Sequence, residues 1–250
     1  MHLVLPLTLA TTLGFLGIHY AVARGMRRSF KRNLKLSRGI AAAILVTAGT
    51  VSAVRWWPLW ERTFLTVHPE PLDAWPVALF AGHLAADLLW ILGGRVFLDS
   101  RVARDLVIHH LLGIAACAAA VVLHAGYAVL GVALVAEVLP VLTGLGALAR
   151  TWRLENVEHR VLRTSLGVIL GFRIPLWIVL GATFCATVFG PEPPAIHVTA
   201  APIALPALAL VTALDLYWVR SYLRILRDFP RRGVADLSLD PLAPWFVDDV

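Results

Sequence analysis

Residues 104–140 read RDLVIHHLLGIAACAAAVVLHAGYAVLGVALVAEVLP. Two apolar runs lie here, parted by little more than Ala125-Gly126. Each reaches the length of about 20 residues that a helix needs to cross a ~30 Å hydrocarbon core. The first run holds an adjacent histidine pair, His109-His110, and the second holds a single carboxylate, Glu137. An ionisable group at a span centre costs about 2.5–3.5 kcal/mol even on insertion-based scales, so it is kept where it has a partner or a task. The stretch thus poses two questions, a membrane fold and a polar interior within it.

Working outward, the whole chain has the same character. Of its 250 residues 59% are hydrophobic and 15% charged, against about 25% charged in soluble domains. Backbone groups in lipid need internal partners, which leaves helices or a closed barrel. The apolar runs are too continuous for barrel strands, which alternate in and out over about ten residues. The expected fold is all-α, with seven transmembrane helices near 2–23, 39–57, 74–98, 105–125, 126–148, 161–189 and 198–222. No basic segment precedes the first run, so residues 1–23 are expected to stay as an amino-terminal anchor. Residues 228–250 are too polar and proline-interrupted to span and are expected to form a cytoplasmic tail.

Charge placement orients the spans. Nineteen of the 22 Lys and Arg fall at loops of one parity, from Arg24–Arg38 to Arg220–Arg232. The positive-inside bias then puts the amino terminus outside and the carboxyl terminus in the cytoplasm. The net charge of +6 is matched to anionic inner-leaflet lipid, with no nucleic acid expected. Trp56, Trp57, Trp60 and Trp75 cluster at an outer loop, where an aromatic belt belongs. The Ala-, Val-, Leu- and Arg-rich composition favours a bacterial inner membrane over endoplasmic reticulum. Cys117 and Cys185 both sit in apolar runs, as small buried residues and not as a disulfide.

Within the spans, His83 and Asp87 are four apart and share a helix face. Asp105 and His109 have the same spacing, so the aspartate is expected to fix the imidazole tautomer. His109 and His110 point about 100° apart, so only one can aim at a central cavity. Asp87 and Glu137 lie roughly 16 Å from the inner ends of their spans at about 1.5 Å per residue. Arg173 requires a carboxylate, with Glu137 and Asp215 as candidates. A common interior cavity is expected to gather these groups. The first span offers only His19 and is expected to lie outside it.

The chain at this point resembles the TLC domain of ceramide synthases and translocating-chain-associated membrane proteins, over about residues 33–227. The resemblance is carried by GHLAADLLW (82–90), RDLVIHH (104–110), EVLPVL (137–142), FRIP (172–175) and DLYW (215–218). It is closer to the non-synthase branch, because the synthase His-Asp pair and further Asp fall on Ala136, Glu137 and Pro140. The resemblance implies a six-helix barrel around a polar and lipid-filled cavity, with one further span outside.

The expected function is binding of a lipid or fatty acyl chain in an intramembrane cavity, influencing membrane lipid composition. The alternative is an acyltransferase using His109 and His110 with Glu137, and acyl-CoA as co-substrate. A histidine there could act as general base or carry the acyl group. His83, Asp87, Arg173 and Asp215 would line the substrate. A metal site is not expected, since adjacent helix residues do not face one another. A retinal Schiff base is excluded because the only lysines, Lys31 and Lys35, lie in a loop. A proton-coupled transporter ranks third, as no paired proline-broken half-helices are evident. The assembly allows a homodimer.

Overall fold

The computed structural model describes residues 3–26, 30–56, 75–98, 104–193 and 195–228. Among them the chain is helical, with no strand. The helices are α1 (Val4–Met26), α2 (Phe30–Trp56), α3 (Trp75–Leu98), α4 (Arg104–Leu123), α5 (Tyr127–Val135) and α6 (Val138–Thr151). They are followed by α7 (Glu155–Val168), a π-helical turn (Ile169–Arg173), α8 (Ile174–Val188) and α9 (Ala195–Asp228). With α5–α6 and α7–α8 each counted as one, seven helical spans are long and apolar enough to cross a membrane. The protein is therefore an all-α multi-pass membrane protein. The expected tail beyond Asp228, and Trp57 and Trp60 of the expected outer loop, lie outside the described residues.

The exterior of the bundle accords with that solvent. Large apolar side chains such as Leu5, Leu13, Val54 and Val122 are exposed. Water would penalise contiguous apolar surface on this scale, whereas lipid does not. Charged and polar groups go inward: His83, Asp87, His110 and Asp215 are all 0% exposed.

Three features differ from expectation. The second span begins at Phe30, not near 39, so the basic segment with Lys31, Lys35 and Arg38 is helix, not loop. The fifth span is broken, since Ala136 and Glu137 form a turn between α5 and α6. Pro140 supplies the reason: it has no N–H to give the carbonyl of Ala136 four residues back, and its ring crowds that carbonyl. The sixth span widens into the π turn just before Pro175, where the same loss acts on the carbonyl of Gly171. Proline thus marks both irregular spans.

Packing brings these irregular segments toward one place. Helix α1 lies along α3 and α2, α2 along α5 and α6, and α9 against α8 and α4. The turn between α4 and α5 is tight, with His124 at φ 50° and Gly126 at φ 80°, the latter a conformation that glycine adopts at little cost. The α2–α6 crossing is closer still. A Cβ added at Gly39 or Gly144 would lie 3.0 Å from the other's Cα, so a larger residue on either side would push the two helices apart by a few tenths of an ångström. Helix α1 is joined to the polar interior by its chemistry. Its span is only 17% buried, yet it plants His19, 1% exposed, in the interior.

Candidate functional site

Among the described residues the interior polar groups form two hydrogen-bonded clusters that meet at His109 and His110. The first is built on Asp87 from α3. Its Oδ1 lies 2.8 Å from Nε2 of His19 on α1. Its Oδ2 accepts from Arg38 Nε of α2 at 2.5 Å and lies 3.0 Å from Nε2 of His110 on α4. Four helices therefore meet on one carboxylate. The imidazoles are fixed from behind as well, His19 by Ser37 Oγ at 2.6 Å and His110 by the Leu106 carbonyl at 2.6 Å. A carbonyl can only accept, so the proton of His110 facing it is on Nδ1.

His83, expected to pair with Asp87, stands 3.8 Å from it, and neither of its ring nitrogens is hydrogen-bonded. Its ring instead meets the edge of Phe15 at 5.2 Å. Placed beside Asp87, His83 is packed more than it is paired.

The second cluster joins the π turn, the broken span and α9. Arg173 donates from Nε and Nη2 to Asp215 at 3.0–3.2 Å, and Trp177 Nε1 donates to Asp215 Oδ2 at 2.8 Å. Asp215, not Glu137, is thus the partner that Arg173 takes. The remaining arm of Arg173, Nη1, donates to the carbonyl of Ala136. That is the carbonyl Pro140 leaves without an intrahelical donor. A cation at the end of α5 and a carboxylate, Glu137, at the start of α6 also match the half-helix dipoles. Two indoles lie close to the Arg173 guanidinium, Trp177 at 5.9 Å and Trp218 at 5.6 Å.

His109 and His110 divide between the clusters, as the 100° turn between them requires. Their rings touch edge to face at 5.5 Å, but His110 turns to Asp87 while His109 turns to Glu137, Nε2 to Oε1 3.8 Å. Asp105, expected to orient His109, receives the indole N–H of Trp218 at 3.2 Å. The Trp218 ring in turn lies 5.9 Å from His109. Orientation of His109 thus runs through an aromatic contact that spacing along α4 could not reveal.

The His109–Glu137 pair borders two cavities. The larger, about 180 Å³, runs along α4 and α9 between Gly113, Ala116, Ala119, Ala204, Leu208 and Phe184, and apart from that pair its lining is apolar. The smaller, about 50 Å³, is lined by Lys31, Lys35, Arg38 and Arg173, with Thr143 and Trp218. His109 and Glu137 are the two residues common to both. His19, Arg38, Lys31, Lys35 and Trp218 belong to this interior and were not among the expected site residues. Arg38 lies one residue before the expected start of the second span, inside the helix that begins at Phe30. Among the described residues no group of three or more His, Cys, Asp and Glu is arranged to hold a metal ion.

The split has a measurable consequence. His110→Ala removes one hydrogen-bond partner from the fully buried Asp87 and is expected to cost about 1–3 kcal/mol. His109→Ala touches a group at a cavity wall and is expected to cost about 1 kcal/mol or less. Thermal melting of the two purified variants compares them directly, and equal losses would contradict the division. No family model, curated protein or solved structure matches the chain.

Proposed function

We propose that the bundle holds the acyl chain of a membrane lipid in the larger cavity, and that this binding influences membrane lipid composition. The observation that carries the reading is an apolar cavity in a membrane bundle whose one polar feature is the His109–Glu137 pair. Small residues at the α4 and α9 positions leave the room, since Leu or Phe there would fill it. A cavity of about 180 Å³ with so apolar a lining favours apolar guests over water. Native mass spectrometry of the purified protein tests this. Acyl lipid is expected to remain bound to the wild type and to be lost from Ala119→Phe at unchanged melting temperature. Equal retention by both would contradict the reading.

A second reading, acyl transfer with acyl-CoA as donor, is favoured by one observation: His109, not His110, faces the chamber with Glu137 beside it. In this reading His109 takes the proton of an amine or hydroxyl, or carries the acyl group, and Glu137 relays the proton. The TLC-type architecture belongs to this proposal on the strength of the sequence resemblance. The break at Glu137 supports a proton-coupled transporter more than the unbroken spans expected, but α7–α8 widens without breaking, so the half-helix pair is incomplete.

Orientation is part of the proposal, resting on the charge bias. In intact cells, an impermeant thiol reagent is expected to label Glu192→Cys and to spare Glu155→Cys, two exposed positions at opposite ends of the sixth span. The reverse pattern would invert the topology.

A further inference from the structure

His19 and His110 both lean on Asp87, yet their surroundings ask for different numbers of protons. Behind His19 stands the hydroxyl of Ser37, 2.6 Å from Nδ1. A hydroxyl can give a proton or take one. A neutral His19 therefore satisfies both contacts, accepting from Ser37 and donating from Nε2 to Asp87 Oδ1 at 2.8 Å. Behind His110 stands the Leu106 carbonyl, 2.6 Å from Nδ1, and a carbonyl only accepts. That contact takes the single proton of a neutral imidazole. Nε2 would then present a lone pair to Asp87 Oδ2 at 3.0 Å, and a carboxylate also only accepts. Both side chains are fully buried, where two facing acceptors are most costly.

We propose that Asp87 and His110 form a proton-binding site, holding between them one proton more than a neutral imidazole and a carboxylate possess. The proton lies on the line from His110 Nε2 to Asp87 Oδ2. On Nε2 it makes His110 an imidazolium that donates to the carboxylate. On Oδ2 it makes Asp87 an acid that donates to the imidazole. The proton count is the same in both arrangements, and so is the charge. With Arg38, which donates to the same oxygen at 2.5 Å, and His19 neutral, the cluster carries one net positive charge. The ionisable groups around the pair are His19 on α1, Arg38 on α2, His83 on α3 and His109 on α4. His83, whose ring nitrogens make no hydrogen bond, leaves Oδ2 to Arg38 and His110. Loss of the proton would set acceptor against acceptor across the α3–α4 joint, beside the His109 ring at 5.5 Å. Ionisable groups within a span are kept where they have a partner or a task, and holding this proton is a task for both. The proton site does not depend on what occupies the larger cavity.

Nitrogen NMR of the full-length protein with isotope-labelled histidine reads the proton count directly. The sample is held in detergent at about pH 7.5, where exposed histidines are mostly neutral. A neutral imidazole shows one protonated and one bare nitrogen, an imidazolium two protonated ones. Infrared spectra of the same sample show whether a buried carboxyl group is protonated. His110 is expected to give two protonated nitrogens or, with the proton on the other side, Asp87 to give the band of a protonated carboxyl. His19 is expected to give the neutral pattern. Carbonyl-labelled leucine identifies the His110 ring in the wild type by its contact with Leu106, so assignment does not require a variant to fold. Asp87→Asn offers a side-chain N–H to a neutral His110, and in it the imidazolium pattern or the carboxyl band is expected to vanish. A bare nitrogen on His110 together with an ionised Asp87 would overturn the proposal, as would persistence of the signal in a folded Asp87→Asn.

Discussion

Replacing Arg173 with alanine is expected to lower stability by about 3–5 kcal/mol, the usual result of stranding one partner of a buried ion pair. Asp215, 0% exposed, would keep only the Trp177 N–H. The Ala136 carbonyl would lose its donor at the same time. Removing both charges together, as Arg173→Met with Asp215→Leu, is expected to restore much of the loss, because the desolvation of the pair disappears with it. Recovery should be incomplete, since an unpaired buried carbonyl costs about 1–3 kcal/mol. Adding Pro140→Ala supplies the N–H that the Ala136 carbonyl lacks and is expected to raise stability further. In the wild-type background the same substitution has little to gain, because Arg173 already serves that carbonyl. Melting temperatures of the single, double and triple variants give the series. A Pro140→Ala gain of the same size in both backgrounds would contradict the link between the proline break and the arginine.

The second large effect centres on Asp87. Alanine at this position would strand Arg38 and remove the common acceptor of His19 and His110. A loss of about 3–5 kcal/mol is expected, in the range for a buried charge left unpaired. Asp87→Asn keeps one acceptor oxygen in nearly the same place and is expected to lose less. His19→Ala is expected to act chiefly on α1, while Asp87 loses one of its polar partners. It would loosen the first span and leave the His109–Glu137 side in place. Hydrogen exchange read helix by helix in detergent separates these outcomes. Uniform exchange across all helices in His19→Ala would show that α1 is not an independently docked element.

The spans were legible because lipid imposes a simple length rule, and the chain follows it in blocks of about 20 residues. The opposed directions of His109 and His110 were legible for the same kind of reason, a fixed turn per residue. The partner of Arg173 was narrowed to Glu137 or Asp215 and no further, because choosing between them requires knowing that the fifth span breaks. Pro140 was in view, but its consequence depends on a donor arriving from another helix, 33 positions later at Arg173. Asp87 is legible beside His83, which lies 3.8 Å from it, but its hydrogen-bond partners are not. His19 lies 68 residues away, and Arg38 was assigned to a loop by the excess of basic residues around it. Local spacing suggested His83 for Asp87 and Asp105 for His109. Tertiary packing gave Asp87 to three other helices and Asp105 to Trp218.

The central claim is that an acyl chain lies within the bundle, beyond His109 and Glu137. Photocrosslinking with a fatty acid carrying a diazirine at its methyl end, followed by peptide mapping, tests it most directly. Adducts are predicted on α4 and α9 at Ala116, Ala119, Leu208 and their neighbours in the larger cavity, suppressed by excess unlabelled fatty acid. Adducts confined to outward-facing residues such as Leu13, Val54 and Val122, undiminished by competitor, would contradict it.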